Sequence, residues 1–369
     1  MDVECTREKL SQAALRASRI VSSRPSLPIL SHILCQTTEG QLSLFSTDLE
    51  LGLTTSLGAK VATEGSVVVP ARSLVDFLTN NTDPTIHLIS DGPHLELKSA
   101  HMKARLSGLD QADFPTPPVL ANTKTLELPA KTFLEAVKKV VIAPAVEDTR
   151  PVLTGVLLSG QDGVLTVVAT DSFRLAEQTL ALPAASDIPT LIIPSRTIQE
   201  LLRVASGEET GGSIKMELEE HQCTFTVGQT KLLSRLIDGA FPSYQEIIPK
   251  SFATTATLKR AELLNLVKAA NVFSREAGAS IKAAFSSEGY IQVRSPQGQF
   301  GQIETKMEAV VEGEAVESAF NAKFLLDVLA VLSNETIIFE LNGKTTPAII
   351  RVPGDDSYKY VMMPLRIEG

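Results

Sequence analysis

The chain has 369 residues, of which 43% are hydrophobic, and a formal net charge of −9. This length and apolar content allow two or three domains with sizeable cores. No apolar run is long enough for a membrane-spanning helix, and the charged first residues, MDVECTREKL, lack the apolar core of a signal peptide. We therefore expect a cytoplasmic protein with no membrane partner.

Cysteines and histidines are not spaced as metal ligands. Cys5, Cys35 and Cys223 are odd in number and form no CxxC pair, which indicates reduced thiols in the cores. The five histidines show no HxxxH or HExxH pattern, and there is no glycine-rich phosphate loop or GxSxG motif. The sequence predicts no metal site and no cofactor.

The first third of the chain predicts two helices, each followed by strands. Residues 6–20 form the first helix, and the alternating strand LSLFSTDLEL (42–51) follows. The second helix begins after Pro70 in VVVPARSLVDFLT (67–79), because proline suits a first helical turn. The strand TIHLIS (85–90) and the segment HMKARLSGLDQADFPTPP (101–118) come next.

The same order of elements recurs twice. The second copy reads KTFLEAVKKVVIA (131–143), LTVVATDSFRL (165–175), LIIPSRTIQELLRV (191–204), SIKMEL (213–218) and TKLLSRLIDGAFPSYQEIIP (230–249). The third reads RAELLNLVKAANVF (260–273), SAFNAKFLLDVLAVL (318–332) and TIIFEL (336–341). The second helices of the copies start at Pro70, Pro194 and Asn321, which are 124 and 127 residues apart.

Each repeat has the size of a whole domain. We predict domain 1 at residues 1–120, domain 2 at 121–250 and domain 3 at 251–369, joined by short connectors around 115–124 and 249–257. Each domain contains the order β-α-β-β-β twice. This order predicts an α+β fold in which helices pack on one face of antiparallel sheets.

Charge is distributed unevenly between the predicted helices and the rest of the chain. The six helical segments with their flanking residues (6–24, 70–80, 130–143, 194–206, 259–275 and 321–333) carry a summed charge of +10, which leaves −19 on all other residues. Basic helices are often only a solvated face. A cationic set of helices on an acidic body is also a way to favour a polyanion on one face.

Several segments, in order and at the right spacing, carry a family resemblance. They are RPSLPIL (24–30), TDLEL (47–51), VPAR (69–72), DFP (113–115), ATDSFRLA (169–176), SRLIDGAFPSYQEIIP (234–249), FNAKFLLDVL (320–329) and YVMMPLR (360–366). The chain resembles the bacterial DNA sliding clamps, the β subunits of DNA polymerase III. The resemblance covers the whole chain. It implies a non-catalytic homodimeric ring of six similar DNA-clamp domains, threaded by duplex DNA.

The resemblance also implies an apolar groove between domains 2 and 3 for peptides of the polymerase, the clamp loader and other clamp-motif proteins. By motif, its residues are Leu153, Thr170, Ser172, Phe173, Arg174, Leu175, Pro242, Ile247, Pro347, Val361, Met363, Pro364, Leu365 and Arg366. Arg174 or Arg366 can meet a peptide carboxylate. The family more often has His or Tyr at Phe173, and an alternative for Leu153 and Val361 is a place in the core.

For DNA, the resemblance implies contacts from the ring lining. The candidates are Arg24, Arg72, Arg150, Arg196 and Lys323. The loop PAVEDTR (144–150) carries Glu147 and Asp148, where family members often have a neutral Gln before the Asp. The sequence leaves open whether these two acids approach DNA.

The expected dimer contact joins two sheet edges. The strand HMKAR (101–105), with His101, Lys103 and Arg105, should face an edge near residues 297–304 of a second copy, because open edges must be covered. Val272 and Phe273 should add apolar contact, and Glu304 is the acid that can pair with Lys103 or Arg105.

Two other classes of function remain possible from the sequence. The pairs Thr47-Asp48 and Thr170-Asp171 could be catalytic acids of a duplicated hydrolase, although the third copy has Ser295-Pro296 there. Paired catalytic carboxylates must converge on one site, whereas Asp in such a turn commonly bonds to nearby backbone. The other class is a structural or carbohydrate-binding repeat protein that does not bind DNA.

Overall fold

The fold is described from a computed structural model, for residues 1–21, 27–116, 123–182, 187–208, 210–275, 278–299 and 301–366. The chain divides into two compact units, residues 1–130 with 200–236 and residues 131–199 with 237–369. Domain 2 as predicted is therefore shared between the two units. No helix among the described residues is both long and apolar enough to cross a membrane.

Helices and strands follow one another in the predicted order. The first repeat contains β1 (Asp2–Thr6), α1 (Arg7–Ile20), β2 (His32–Thr38), β3 (Gln41–Thr47), β4 (Leu51–Gly58), β5 (Lys60–Thr63), β6 (Ser66–Pro70), α2 (Ala71–Asn80), β7 (Thr85–Asp91), β8 (His94–Lys98) and β9 (Lys103–Ser107). The second contains β10 (Lys124–Pro129), α3 (Ala130–Val140), β11 (Gly155–Gln161), β12 (Val164–Thr170), β13 (Arg174–Ala181), β14 (Ile188–Pro194), α4 (Ser195–Ala205), β15 (Ser213–Leu218), β16 (Gln222–Val227) and β17 (Thr230–Arg235). The third contains β18 (Thr254–Lys259), α5 (Arg260–Ser274), β19 (Ser280–Ser286), β20 (Tyr290–Arg294), β21 (Glu304–Glu308), β22 (Val310–Gly313), β23 (Val316–Asn321), α6 (Ala322–Val331), β24 (Thr336–Leu341), β25 (Ala348–Val352) and β26 (Asp355–Met362).

The observed order confirms the predicted α+β fold with β-α-β-β-β twice in each repeat. In the first and third repeats, the last strand of the first half is split in two, β4 with β5 and β21 with β22. The helical stripes predicted from spacing are also correct, because Leu74, Leu78, Ile198 and Leu201 are buried. Helix α1 packs against β3 and β4 and helix α5 against β19, β20 and β21, and the helices also pack in the pairs α1–α2 and α5–α6.

Sheets continue from one repeat into the next. In the first unit, β17 pairs with β4 and joins eight strands in the order β10-β15-β16-β17-β4-β3-β2-β6. In the second unit, β13 pairs with β26 within a nine-stranded sheet, β14-β11-β12-β13-β26-β25-β24-β18-β22. We call these pairings the first and second junctions.

Each unit also holds a smaller sheet that ends on a strand with one unpaired side. The five-stranded sheet β5-β1-β7-β8-β9 ends on β9, and the four-stranded sheet β21-β20-β19-β23 ends on β21. Among the described residues, neither β9 nor β21 pairs with a further strand along its outer side. These two strands contain or adjoin the edges that the sequence predicted for a dimer contact.

Candidate partner groove, lining surface and edge strands

A tight turn between β12 and β13 forms one wall of a groove in the second unit. The Oδ1 atom of Asp171 accepts hydrogen bonds from the backbone N–H groups of Phe173 and Arg174, both at 2.9 Å. The Thr170 hydroxyl donates to the Arg174 carbonyl at 2.6 Å and accepts from the Ser172 N–H at 3.2 Å. This network leaves the Phe173 side chain on the surface, 63% exposed.

The groove itself is a cavity of about 430 Å³, within the size range of small-ligand and peptide pockets. Its lining residues, which we call the partner groove, are Thr170, Ser172, Phe173, Arg174, Leu175, Glu246, Ile247, Pro347, Val361 and Met363. Leu175 and Val361 belong to a buried apolar cluster under the groove. The exposed side chains of Phe173, Ile247 and Met363 surround this floor.

Nine of the ten lining residues are among those that the family resemblance implied. Glu246 was missed, and an isolated acid in a short 3₁₀ turn, Gln245–Ile247, gives no distinguishing sequence signal. Five predicted residues do not line the cavity. Leu153 is buried, Pro242 and Arg366 are exposed, and Pro364 and Leu365 are half-buried.

Arg174 is the predicted residue whose surroundings differ most from expectation. Its Nε donates to Asp171 at 3.0 Å, its Nη1 donates to Asp327 of α6 at 2.6 Å, and its guanidinium lies 4.3 Å from the centre of the Phe324 ring. Burial lowers the pKa of Arg174, but Tyr360, Asp327 and Asp171 raise it above its usual value. The guanidinium thus pairs with two carboxylates of this chain, and its contact with a peptide carboxylate stays a prediction.

The DNA candidates lie on exposed surface where they are described. Arg72, Arg150, Arg196 and Lys323 are exposed, and Arg24 lies outside the described residues. Arg196 at the start of α4 and Lys323 at the start of α6 line one cavity of about 470 Å³, together with Asp148. Asp148 therefore moderates the positive potential of this part of the helical surface.

At the first edge strand, basic side chains are held by acids of the same sheet. Lys103 Nζ lies 3.0 Å from Glu96, and Arg105 Nη2 lies 3.5 Å from Asp91. The loop before β9 is fixed by Asp83, which accepts from the His101 N–H at 2.9 Å and contacts the His101 ring at 2.7 Å. Hydrogen bonds from Ser99 and His101 lower the pKa of Asp83 to about 2.

At the second edge strand, Glu304 contacts Arg294 at 3.2 Å. Helix α5, which ends with Val272, Phe273 and Ser274, packs against β19, β20 and β21. In its last turn Val272 is 60% exposed and Phe273 is half-buried. The predicted interface residues of the third repeat therefore lie on or next to elements that pack together, α5 and β21.

Comparison with known proteins decides the family. Models of the N-terminal, central and C-terminal domains of the DNA polymerase III beta subunit match residues 1–118, 127–243 and 245–366. The chain belongs to the DNA polymerase III beta subunit family. A beta sliding clamp from Synechocystis sp. is 30% identical to it, over 100% of both chains.

Solved structures of beta subunits agree with this membership. The chain resembles the DNA polymerase III beta subunit of Pseudomonas aeruginosa with a TM-score of 0.91 and 28% identity, over 100% of both chains. It has the fold of the DNA polymerase sliding clamp of Bacillus subtilis, with a TM-score of 0.93 and 23% identity, over 100% of this chain and 99% of that one.

Family membership makes the chain a non-catalytic accessory subunit, and the hydrolase hypothesis is wrong. The two acids of that hypothesis have structural roles. Asp48 Oδ1 accepts from the Glu50 and Leu51 N–H groups at 3.1 and 2.8 Å, as Asp171 does in its own turn.

No group of His, Cys, Asp and Glu in the described part of this beta subunit could hold a metal ion. Burial raises the pKa of each of its three cysteine thiols to about 12.

Proposed function

We propose that this beta subunit is a DNA sliding clamp. Two copies close head to tail into a ring of six domains, with boundaries at 1–120, 121–250 and 251–369. The ring encircles duplex DNA without sequence specificity and tethers the replicative polymerase, and other clamp-motif proteins, through the partner groove. Because a clamp must reach the chromosome, it acts in the bacterial cytoplasm.

The observation that carries the proposal is the register of the two junctions. Leu232 lies opposite Leu53 in the first junction, and Tyr360 lies opposite Ala176 in the second. These four residues are buried. When the strand pairs of the repeats are matched, Leu53 corresponds to Ala176 and Leu232 corresponds to Tyr360, so the two junctions have the same register. Successive repeats are therefore joined by the same strand pairing in the same register.

The same strand pairing identifies a partner for each of the two edge strands, β9 and β21. By its position in the repeat, β9 corresponds to β17 and β26, while β21 corresponds to β4 and β13. A third junction would thus join β9 of one copy to β21 of another. Two such contacts, related by a two-fold axis, close a ring and leave no open edge at β9 or β21.

The second junction also contains a template for the expected ion pair. Lys359 lies opposite Glu177 in the ladder, with its Nζ 3.2 Å from the carboxylate. The corresponding residues at the edges are Lys103 and Glu304. The same register supports Lys103, rather than Arg105, as the residue opposite Glu304 of the second copy. We propose that Val272, Phe273, His101 and Arg105 flank this contact.

A helical lining suits a ring that slides. Contacts to phosphates are blind to sequence, and exposed Arg72, Arg150, Arg196 and Lys323, together with Arg24, can supply them. Acids such as Asp148, next to Arg196 and Lys323, keep the binding free energy of any single phosphate contact small. A smooth and moderately positive lining favours movement along DNA over binding at one place.

The partner groove suits short apolar peptides that must exchange. Each large apolar side chain buried on Leu175, Val361 or Met363 contributes roughly 1.5–3 kcal/mol, and ordering the peptide offsets a good part of the sum. A net of about −8 kcal/mol corresponds to a dissociation constant of about 1 μM. Arg366 and, beside its pairs with Asp171 and Asp327, Arg174 are the predicted cations for a peptide carboxylate.

The test is primer extension on a primed single-stranded circle, with the cognate clamp loader and polymerase and an excess of trap DNA. We expect the full-length chain to lengthen the products of a single polymerase binding event many-fold. Products of equal length with and without the chain would contradict the proposal.

A further inference from the structure

A second groove lies in the first unit, at the junction of β17 with β4. Its cavity has a volume of about 390 Å³, close to the 430 Å³ of the partner groove. We call it the repeat groove, and define it by Thr47, Leu49, Glu50, Gly52, Leu233 and Arg235. None of these residues is assigned above to partners, DNA or the dimer.

The repeat groove is built by the same device as the partner groove. The Thr47 hydroxyl donates to the Leu51 carbonyl at 3.0 Å and accepts from the Leu49 N–H at 2.9 Å. Asp48 caps the turn as Asp171 does in the second unit. Leu233 stands opposite Gly52 in the ladder, as Val361 stands opposite Leu175. Both grooves therefore have the same backbone walls.

The floor of the repeat groove is apolar. Gly52 replaces Leu175 of the partner groove, and a Cβ there would lie 3.3 Å from the ring of Phe45 and 3.7 Å from Leu233. The absence of that side chain lets the nearly buried Phe45 ring form part of the floor. The cavity can thus receive one apolar side chain of a ligand.

Leu49 on the rim is strained and exposed at the same time. Its φ of 80° is a left-handed conformation that bulky side chains rarely adopt, and its side chain is 48% exposed. The corresponding residue of the partner groove is the small Ser172. Strained residues cluster at functional sites, and this one also exposes its apolar side chain to solvent.

The charge of the rim differs between the two grooves. Arg235 stands where the partner groove has Met363, and Glu50 stands where it has Phe173. Arg235 and Glu50 are 3.8 Å apart and both well exposed. Such a pair contributes little to stability, so a ligand carboxylate can take the place of Glu50 on Arg235.

We propose that the repeat groove is a second docking site, for an extended peptide segment of a partner protein that combines an apolar anchor with a carboxylate. The inference rests on the proposed role of the partner groove only for the analogy between the two sites. Its occupant differs in charge, so the two grooves can hold different partners on one clamp.

The test is methyl NMR on the full-length protein with labelled Leu, Val and Met methyl groups. The probe is the peptide Ac-Gly-Asp-Gly-Leu-Phe-Gly-NH2, and its matched control carries Asn in place of Asp. We expect saturable shifts at Leu49 and Leu233, with at least five-fold tighter binding of the Asp peptide. Shifts at Val361 and Met363 report the partner groove separately.

Two variants use residues that the fold already holds at the corresponding positions of the partner groove, so both should fold. Arg235→Met should abolish the preference for the Asp peptide. Leu49→Ser should weaken binding at least five-fold without lowering the unfolding temperature. Phe173→Glu should affect only the partner groove. The inference is overturned by shifts confined to Val361 and Met363, by no saturable shift at Leu49 up to millimolar peptide, or by shifts that follow protein concentration without peptide.

Discussion

Charge reversal at the β9 edge tests the register proposed for the ring. Lys103→Glu places a carboxylate opposite Glu304 of the second copy, where the second junction holds the ion pair of Lys359 and Glu177 at 3.2 Å. A cross-strand ion pair contributes about 0.2–1 kcal/mol, and like charges cost a similar amount. The reversal therefore costs about 0.4–2 kcal/mol at each contact.

A closed ring has two such contacts, so the loss is about 0.8–4 kcal/mol per dimer, which corresponds to a dissociation constant raised by about 4-fold to 800-fold. Sedimentation equilibrium at moderate salt measures this change. The double variant Lys103→Glu with Glu304→Lys should recover most of the loss, because the pair is restored with its charges exchanged. Repulsion between Glu96 and the carboxylate introduced at position 103 acts in monomer and dimer alike.

The matched control is Lys98→Glu, which makes the same change of charge on β8, next to the same Glu96 but one strand away from the edge. It should leave the dimer unchanged. A double variant that is no tighter than Lys103→Glu alone, or a Lys98→Glu variant that dissociates equally, would refute the register.

Three further outcomes are expected. Phe173→Ala should weaken peptide binding at the partner groove at least five-fold by calorimetry, whereas Val164→Ala, which truncates an exposed apolar side chain on β12, should leave it unchanged. Equal affinities of the two variants would exclude a contribution of Phe173 to peptide binding. The folded-state pKa of Asp83, about 2, lies below the ordinary 3.8. The stabilisation from ionised Asp83 is therefore present above pH 4 and is lost as the pH falls from 4 to 2. The unfolding temperature of Asp83→Asn should fall less than that of the unchanged protein over this range, and an equal fall would contradict the role of Asp83. The three buried cysteines should resist a thiol reagent at pH 7 in the folded protein, because burial raises the pKa of each to about 12; rapid labelling without unfolding would contradict their burial.

The repeats, the helical stripes and the order of elements could be predicted from the sequence because they depend on local spacing. Pro70 and Pro194 mark helix starts, and Leu74 and Ile198 point inward at helical period. The turn acid Asp171 was also recognised from local pattern. These features need only a few neighbouring residues.

Register could not be predicted in the same way. The Phe114-Pro115 and Phe241-Pro242 pairs, 127 residues apart, align Lys103 with Thr230. The ladders instead equate Lys103 with Lys231, because the loop after β9 is one residue longer. A one-residue slip exchanges the two faces of a strand, and only paired strands reveal it.

Long-range contacts were the other limit. Arg174 meets Asp327 across 153 positions of the chain, and no sequence pattern connects them. The repeat groove, in contrast, is marked in the sequence, because the Thr47-Asp48 pair repeats the Thr170-Asp171 pair of the turn that borders the partner groove. That repeat was used only to infer equivalent domains, and the equivalent groove in the first unit was not predicted from it.

The central claim is that this protein holds DNA by encircling it, and linearisation of the DNA tests it most directly. The protein is loaded by its cognate loader on a nicked circle, freed of unbound protein by gel filtration at moderate salt, and the circle is then cut once. We predict that the protein stays with the circle for as long as it is closed and leaves it after the cut, with no dependence on sequence. Retention on the linear DNA, or release from the intact circle at the same rate, would contradict the account.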